Sequence, residues 1–254
     1  MMFEYRFLSG RVILFFVAVM MVSCSASKKV VEQETYLFTG FDHWNYSMAD
    51  FIENDDVIAA IIEPYKSDIQ DQLNTVLTRS TAIIERGQPE GPLGNLTADI
   101  LRNRATREMN ETVHIAILNN GGLRVPLPAG PVNIGHIFEL MPFENHITIL
   151  KLTGDQVITL ADEIAAAGGE PVSGIRFRIN NGKAEDVLVG NKSADPDANY
   201  WVATNNWLAD GGGDMPTLWS PQERRDMQIL IRDAFIEYLK FMPAIEPVTD
   251  SRIR

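Results

Sequence analysis

The sequence predicts an α+β fold, a single domain of mixed β-sheets with packed helices. Three observations predict it. Short apolar or alternating runs recur at 113–118, 146–152, 175–179, 186–189 and 200–204, bounded by Gly, Asn, Asp or Pro. Between them lie longer segments whose apolar residues return every three or four positions, the helical period. The 254 residues are 45% hydrophobic and 22% charged, which is ordinary globular composition and enough apolar mass for one large core. No internal repeat and no low-complexity segment occurs.

The first element is an address. Residues 1–23 carry Arg6 and Arg11 ahead of an apolar run from Val12 to Val22, too short to span a bilayer comfortably. A basic flank, a short apolar stretch and small residues read as a secretory signal peptide. The run ends Met21-Val22-Ser23-Cys24, and Cys24 is the only cysteine in the chain. This resembles a bacterial lipobox, with Met21 where Leu is commoner, and it implies lipidation of Cys24. The mature protein is then expected outside the cytoplasm, lipid-anchored to a bacterial membrane on its periplasmic side and meeting the membrane through that anchor alone. Acyl chains contribute about 0.8 kcal/mol per buried CH₂, so a multiply acylated cysteine holds firmly. A single cysteine excludes an internal disulfide and a Cys-based zinc site.

Residues 24–50 read as a tether, with one strand expected at 34–38, and residues 51–254 as the domain. In 54–73 the residues Ile58, Ile61, Ile62, Tyr65, Ile69 and Leu73 have helical spacing, with a break and restart expected at Pro64. A strand is expected at 78–84, then a Gly/Pro stretch and a helix at 94–107 with Leu96, Ile100 and Leu101 on one face. The strand at 113–118 runs into Asn119-Asn120-Gly121-Gly122. A strand at 146–152 leads to a helix at 154–167 stopped by Gly168-Gly169. Strands at 175–179 and 186–189 are expected to pair across Asn181-Gly182. The strand at 200–204 precedes the loop Gly211-Gly212-Gly213-Asp214, and 225–241 reads as one final helix.

Charge narrows the partners. Lys and Arg number 22 against 34 Asp and Glu, a net charge of −12, and no basic run exceeds Lys28-Lys29. Nucleic-acid binding is therefore not expected. Three stretches carry chemistry. Leu118-Asn119-Asn120-Gly121-Gly122-Leu123-Arg124 is either a tight turn with an exposed arginine or an anion clamp, in which two glycines let the backbone approach a ligand and the arginine presents paired donors. No Gly-Lys-Ser/Thr follows, so it is not a Walker loop. In Met141-Pro142-Phe143-Glu144-Asn145 a proline fixes the turn and Phe143 is either a core residue or a ring at a pocket mouth. In 205–214, Trp207 precedes the glycine loop and Asp214, an indole and a carboxylate suited to a flat ring and hydroxyls, or else a packed ring beside a solvated loop. No Gly-x-Ser-x-Gly is present, and the adjacent carboxylates Asp55-Asp56 and Glu185-Asp186 read as solvated faces.

Together with Gly91-Pro92-Leu93-Gly94-Asn95-Leu96-Thr97-Ala98-Asp99, Leu152-Thr153-Gly154 and Tyr200-Trp201-Val202-Ala203-Thr204, these stretches resemble, in order and spacing over about residues 55–245, the C-terminal substrate-binding domain of the 5′-nucleotidase and UDP-sugar hydrolase family. The resemblance implies a nucleotide or nucleoside ligand, with Arg124 toward phosphate and Asn119 toward base or ribose. It implies that Phe143 and Trp207 sandwich the base and that Asp214 binds ribose hydroxyls. Arg86, one residue off the family spacing, is the candidate for a second phosphate contact. The departures are an extra glycine before Asp214, Trp207 where the family usually has Phe, and Met215-Pro216 after Asp214.

The family's catalytic metals lie in an N-terminal metallophosphatase domain with Asp-x-His, Gly-Asn-His and Gly-His-x-His motifs. None matches His43, His114, His136 or His146, and about 50 residues before the domain are too few for that fold. The resemblance thus implies no catalytic residue, metal or cofactor in this chain. It implies a separate metallophosphatase partner in extracytoplasmic nucleotide catabolism or, alternatively, a stand-alone nucleotide-binding lipoprotein.

Overall fold

Side-chain alternation organises the centre of the molecule. The computed structural model describes residues 56–254, with only the backbone of Ala59. The signal peptide, the tether, Cys24, the strand expected at 34–38 and His43 lie outside the described residues. The chain divides between Ala59 and Ala60, and the unit from Ala60 to Arg254 holds the sheets.

The elements in order are α1 (Asp56–Leu73), β1 (Val76–Ser80), α2 (Pro92–Met109), β2 (Ile115–Ile117), β3 (Gly130–Asn133), α3 (Ile134–Leu140), β4 (His146–Thr153), α4 (Gly154–Ala166), β5 (Val172–Ser173), β6 (Ile175–Asn180), β7 (Lys183–Val189), β8 (Lys192–Ser193), β9 (Asn199–Asn205), α5 (Asn206–Ala209), β10 (Glu223–Leu230) and α6 (Ile231–Lys240). Single 3-10 turns lie at Asn120–Gly122 and Pro216–Trp219. The main sheet has the order β10-β4-β9-β2-β5. Only β2 and β9 pair in parallel within it. β1 and β3 form a two-stranded sheet, and β6-β7-β8 a three-stranded one.

Successive residues of the central strands enter different cores, as a period of two requires. Ile147 and Ile149 of β4, Trp201 and Ala203 of β9, and Ala116 of β2 face one cluster with Ile100, Leu101 and Phe235 of α2 and α6. Leu150, Leu152, Val202, Ile115 and Ile117 face the other, with Val157, Leu160 and Ile164 of α4 and Ile175 and Phe177 of β6. The fold is therefore α+β with several sheets and packed helices on both faces of the main one.

Four sequence expectations need correction. α1 runs unbroken through Pro64. The lost backbone bond falls on an exposed helix, where water serves the freed carbonyl. The strand expected at 78–84 spans only Val76–Ser80. The Ser80 hydroxyl donates to the Ala82 carbonyl at 2.6 Å and turns the chain, which pairs again only at Ile84. The helix expected at 225–241 is two elements, β10 and α6. Met227 and Ile229 alternate toward the core, exposed Arg225 lies 4.6 Å from the centroid of the Trp201 ring, and Thr148 Oγ1 donates to Asp226 at 2.7 Å, holding β10 to the edge of β4. Finally, β3, α3, β5 and β8 have no counterpart among the sequence expectations. α3 has seven residues and begins at a reciprocal cap: Asn133 Oδ1 accepts from His136 N at 2.9 Å, and His136 Nδ1 accepts from Asn133 N at 3.1 Å. His136 thus has a local structural partner. So does His114, whose Nδ1 accepts from Trp201 N at 3.0 Å; burial lowers its pKa against the opposing charge of Glu111.

Candidate nucleotide-recognition site

β2 stops at Ile117 and delivers the chain to the 3-10 turn Asn120–Gly122. A Cβ on Gly122 would lie 3.1 Å from Asn119 Oδ1, a tight contact that this side chain would have to relieve. The Asn119 side chain thus folds over a bare backbone. The turn is gripped from several sides. Asn120 N donates to Glu170 Oε2 at 2.6 Å, and Asn120 Nδ2 donates to the Gly169 carbonyl at 3.1 Å. Burial pushes the Glu170 carboxyl up, against the opposing effect of the bonds from Asn120.

Two arginines converge on this turn, Arg86 from a distant position and Arg124 from just beyond it. Arg86 Nη1 donates to the Asn120 carbonyl at 3.2 Å, and Arg124 Nη1 donates to the Gly121 carbonyl at 3.1 Å. Both side chains are exposed. Each of these bonds uses one of the five N–H donors on its guanidinium. The Arg124 guanidinium also lies 5.9 Å from the centroid of the Phe143 ring.

Beside the turn is a small open cleft, lined among others by Asn119, Phe143, Asn145, Asn205 and Arg232. Phe143, which follows Pro142 at the end of α3, is 46% exposed, so it stands at the mouth and not in the core. Asn205 ends β9 and caps α5, its Oδ1 accepting from Leu208 N at 2.7 Å. Asn206 Oδ1 accepts from His146 N at 2.8 Å, which ties the start of α5 to β4. Trp207 is thereby placed on the first turn after a fixed cap. It is 47% exposed, and a Cβ on Gly212 would fall 2.3 Å from two atoms of its indole. The indole thus rests on bare backbone of the glycine loop.

Of the six expected ligand contacts, Asn119 and Phe143 line the cleft, while Arg124 and Arg86 share its adjoining turn. Trp207 and Asp214 do not line it; they belong to the segment that leaves the cleft after Asn205. Asp214 is exposed on the loop that supports Trp207. The sequence reading missed Asn145, Asn205, Arg232 and Glu170. Asn145 stood within the Pro142-Phe143 motif and could have been singled out. Arg232 was hidden inside a segment read as one continuous helix. Among the described residues no group of three or more His, Cys, Asp or Glu is placed to hold a metal, and no helix is long and apolar enough to cross a membrane.

Comparison with known proteins gives this arrangement a setting. The endonuclease YhcR of Bacillus subtilis is 29% identical over 175 residues, 64% of this chain and 14% of that protein. A 5′-nucleotidase of Vibrio parahaemolyticus is 26% identical over 182 residues, 66% of this chain and 31% of its own length. The chain therefore spans less than a third of the length of these relatives. Among solved structures, the 5′-nucleotidase precursor from Thermus thermophilus superposes with a TM-score of 0.68 at 26% identity, covering 79% of this chain and 43% of that one. Residues 71–219, more than half of the chain, match the family described as 5′-nucleotidase, C-terminal domain, and the chain belongs to that family.

Proposed function

We propose that this chain binds a nucleotide or nucleoside and supplies substrate recognition to a metallophosphatase carried on a separate chain, the pair acting as a split 5′-nucleotidase in extracytoplasmic nucleotide catabolism. The observation that carries the reading is the convergence of Arg86 and Arg124 on the Asn120–Gly122 turn, beside a cleft lined by Asn119 and Phe143. Guanidinium groups present paired donors to phosphate, and an aromatic ring at the cleft mouth stacks on a base. Trp207, held on the glycine loop, is the second ring, and Asp214 reaches the ribose hydroxyls once that loop closes on a ligand. Divalent metals belong to the partner, and this chain carries no catalytic residue and no cofactor of its own.

α1 supports a docking partner. Ile61, Ile62, Tyr65 and Ile69 are each more than half exposed along one helix, and an apolar stripe of that extent is what a second chain covers. Lipidation at Cys24 would hold the pair to the periplasmic side of a membrane.

The test is calorimetric titration of a nucleoside monophosphate into the purified mature chain, beside a phosphate-release assay with Mn²⁺. Binding without release, followed by release when the metallophosphatase is added, is the expected result. Metal-dependent release by the chain alone would overturn the split arrangement. Binding that no metallophosphatase converts to turnover would favour a stand-alone nucleotide-binding lipoprotein, and absence of binding would overturn the recognition role.

A further inference from the structure

Arg232 is a charged residue in an unfavourable place. It is 8% exposed. It occupies the first turn of α6, where the helix dipole disfavours a cation. Its guanidinium sits 4.1 Å from the centroid of the Phe138 ring, and Nη1 donates to the Met141 carbonyl at 3.4 Å, a long bond. Nε is buried with no acceptor, and among the described residues no carboxylate pairs with it. Burying a charge without a counter-ion is costly. A sequence that breaks so many local preferences at one residue does so at functional sites.

The location supplies the function. Arg232 lines the same cleft as Asn119, Phe143, Asn145 and Asn205. Ile231 N donates to the Asn145 carbonyl at 2.9 Å, which fixes the start of α6 against the segment carrying Phe143. Arg232 brings donors to this wall. A guanidinium has five N–H groups and no acceptor. The Asn205 carbonyl oxygen is already used in capping α5, so its amide nitrogen is the group left to offer. The part of an occupant that faces Arg232 must bring acceptors.

Resting on the nucleotide reading above, we propose that Arg232 makes the cleft selective for oxo bases, those with a ring carbonyl beside an acceptor nitrogen, as in hypoxanthine and guanine. Arginine engages the O6 and N7 acceptors of such a base with two parallel donors. Adenine presents a 6-amino donor at the same edge, which would face the guanidinium donor to donor. A buried donor left unpaired by the wrong base penalises it more than a lost apolar contact would.

IMP and AMP differ at the base and share ribose and phosphate, so they isolate the inference. In titrations of the unaltered protein, IMP is expected to bind at least about tenfold more tightly than AMP. Arg232→Gln, checked for folding by thermal melting, is expected to bring that ratio to about one, mainly by weakening IMP. If Arg232→Gln fails to fold, Arg232→Lys keeps the charge, removes the paired donors, and is expected to shrink the ratio. AMP binding as tightly as IMP to the unaltered protein would overturn the selectivity while leaving nucleotide recognition standing. A preference for IMP that survives at residue 232 without the guanidinium would overturn its assignment to Arg232. Binding of neither nucleotide would overturn the nucleotide reading and the selectivity with it.

Discussion

The turn that borders the cleft and the segment that leaves it after Asn205, its two rims, are built on different plans. The Asn120–Gly122 rim is fastened from outside itself: Glu170 takes one N–H, the Gly169 carbonyl takes the Asn120 amide, and Arg86 and Arg124 each spend a donor on a turn carbonyl. The Trp207 rim is fastened at its two ends, by the Asn205 cap and the Asn206 bond to β4 at its root, and by the Arg224–Asp210 pair and buried Met215 on the far side, leaving Gly211 to Asp214 between them. Beyond that root, the indole lies on the glycine loop, and Asp214 is exposed on the same loop. A preorganised rim suits a charged, invariant group such as phosphate, since donors already in place need little reordering on binding. A rim whose middle is a glycine loop suits a base and ribose, which must enter flat and then be covered. The extra glycine before Asp214 lies in the rim that can absorb it.

The comparison is most exposed to a change at Gly212. A methyl group there would meet the Trp207 ring at 2.3 Å and the Trp207 carbonyl at 2.6 Å, so Gly212→Ala must displace the indole or the loop. If the loop serves as a seat for the ring, nucleotide affinity falls about 10- to 100-fold in Gly212→Ala, and Trp207→Ala falls equally, as loss of one stacked base contact predicts. The double variant should be no weaker than the worse single one, since both remove the same interaction. Additive losses would show that the loop binds ligand independently of Trp207.

The rigid rim gives a smaller effect. Arg124→Ala should weaken a nucleoside monophosphate about tenfold and leave the matching nucleoside unchanged, because the removed donors meet phosphate alone. Arg86→Ala should behave the same way if the turn gathers both guanidiniums for one anion. Titration of each variant with AMP and adenosine, or IMP and inosine, reads the difference directly. A loss on the nucleoside as well would place Arg124 on the base side, through its contact with Phe143.

This division also explains what was legible in the sequence. The central strands could be read because their alternation serves two cores at once, as with Ile149 and Leu150. Asn119, Arg124 and Phe143 could be read because glycine and proline mark the turns that carry them. β10 could not, because Met227, Ile229 and Ile231 sit where a period of two passes into a period of four at Ile231, Phe235 and Leu239, and a helical template absorbs both. α3 is too short to show a period and depends on the Asn133–His136 cap. Asn205 and Arg232 reach the cleft, and Glu170 its adjoining turn, from separate elements, and only tertiary packing brings them together.

The smallest effect tests what the rigid rim costs the fold. Burial raises the Glu170 carboxyl above the ordinary glutamate value, so folding favours its protonated form. That contribution is complete at low pH and is lost as pH rises through the raised value, because the native state then holds a charge that burial disfavours. Glu170→Gln keeps an oxygen for the Asn120 N–H and never acquires the charge. The stability of the variant relative to the unaltered protein should therefore rise between about pH 4 and pH 7, by about 1 kcal/mol or less, or a few degrees in melting temperature. Melting curves of both proteins across that range decide it. A difference that stays flat, or moves in favour of the unaltered protein, would mean that the bonds from Asn120 fully offset the burial, and that the rim is held in place without cost.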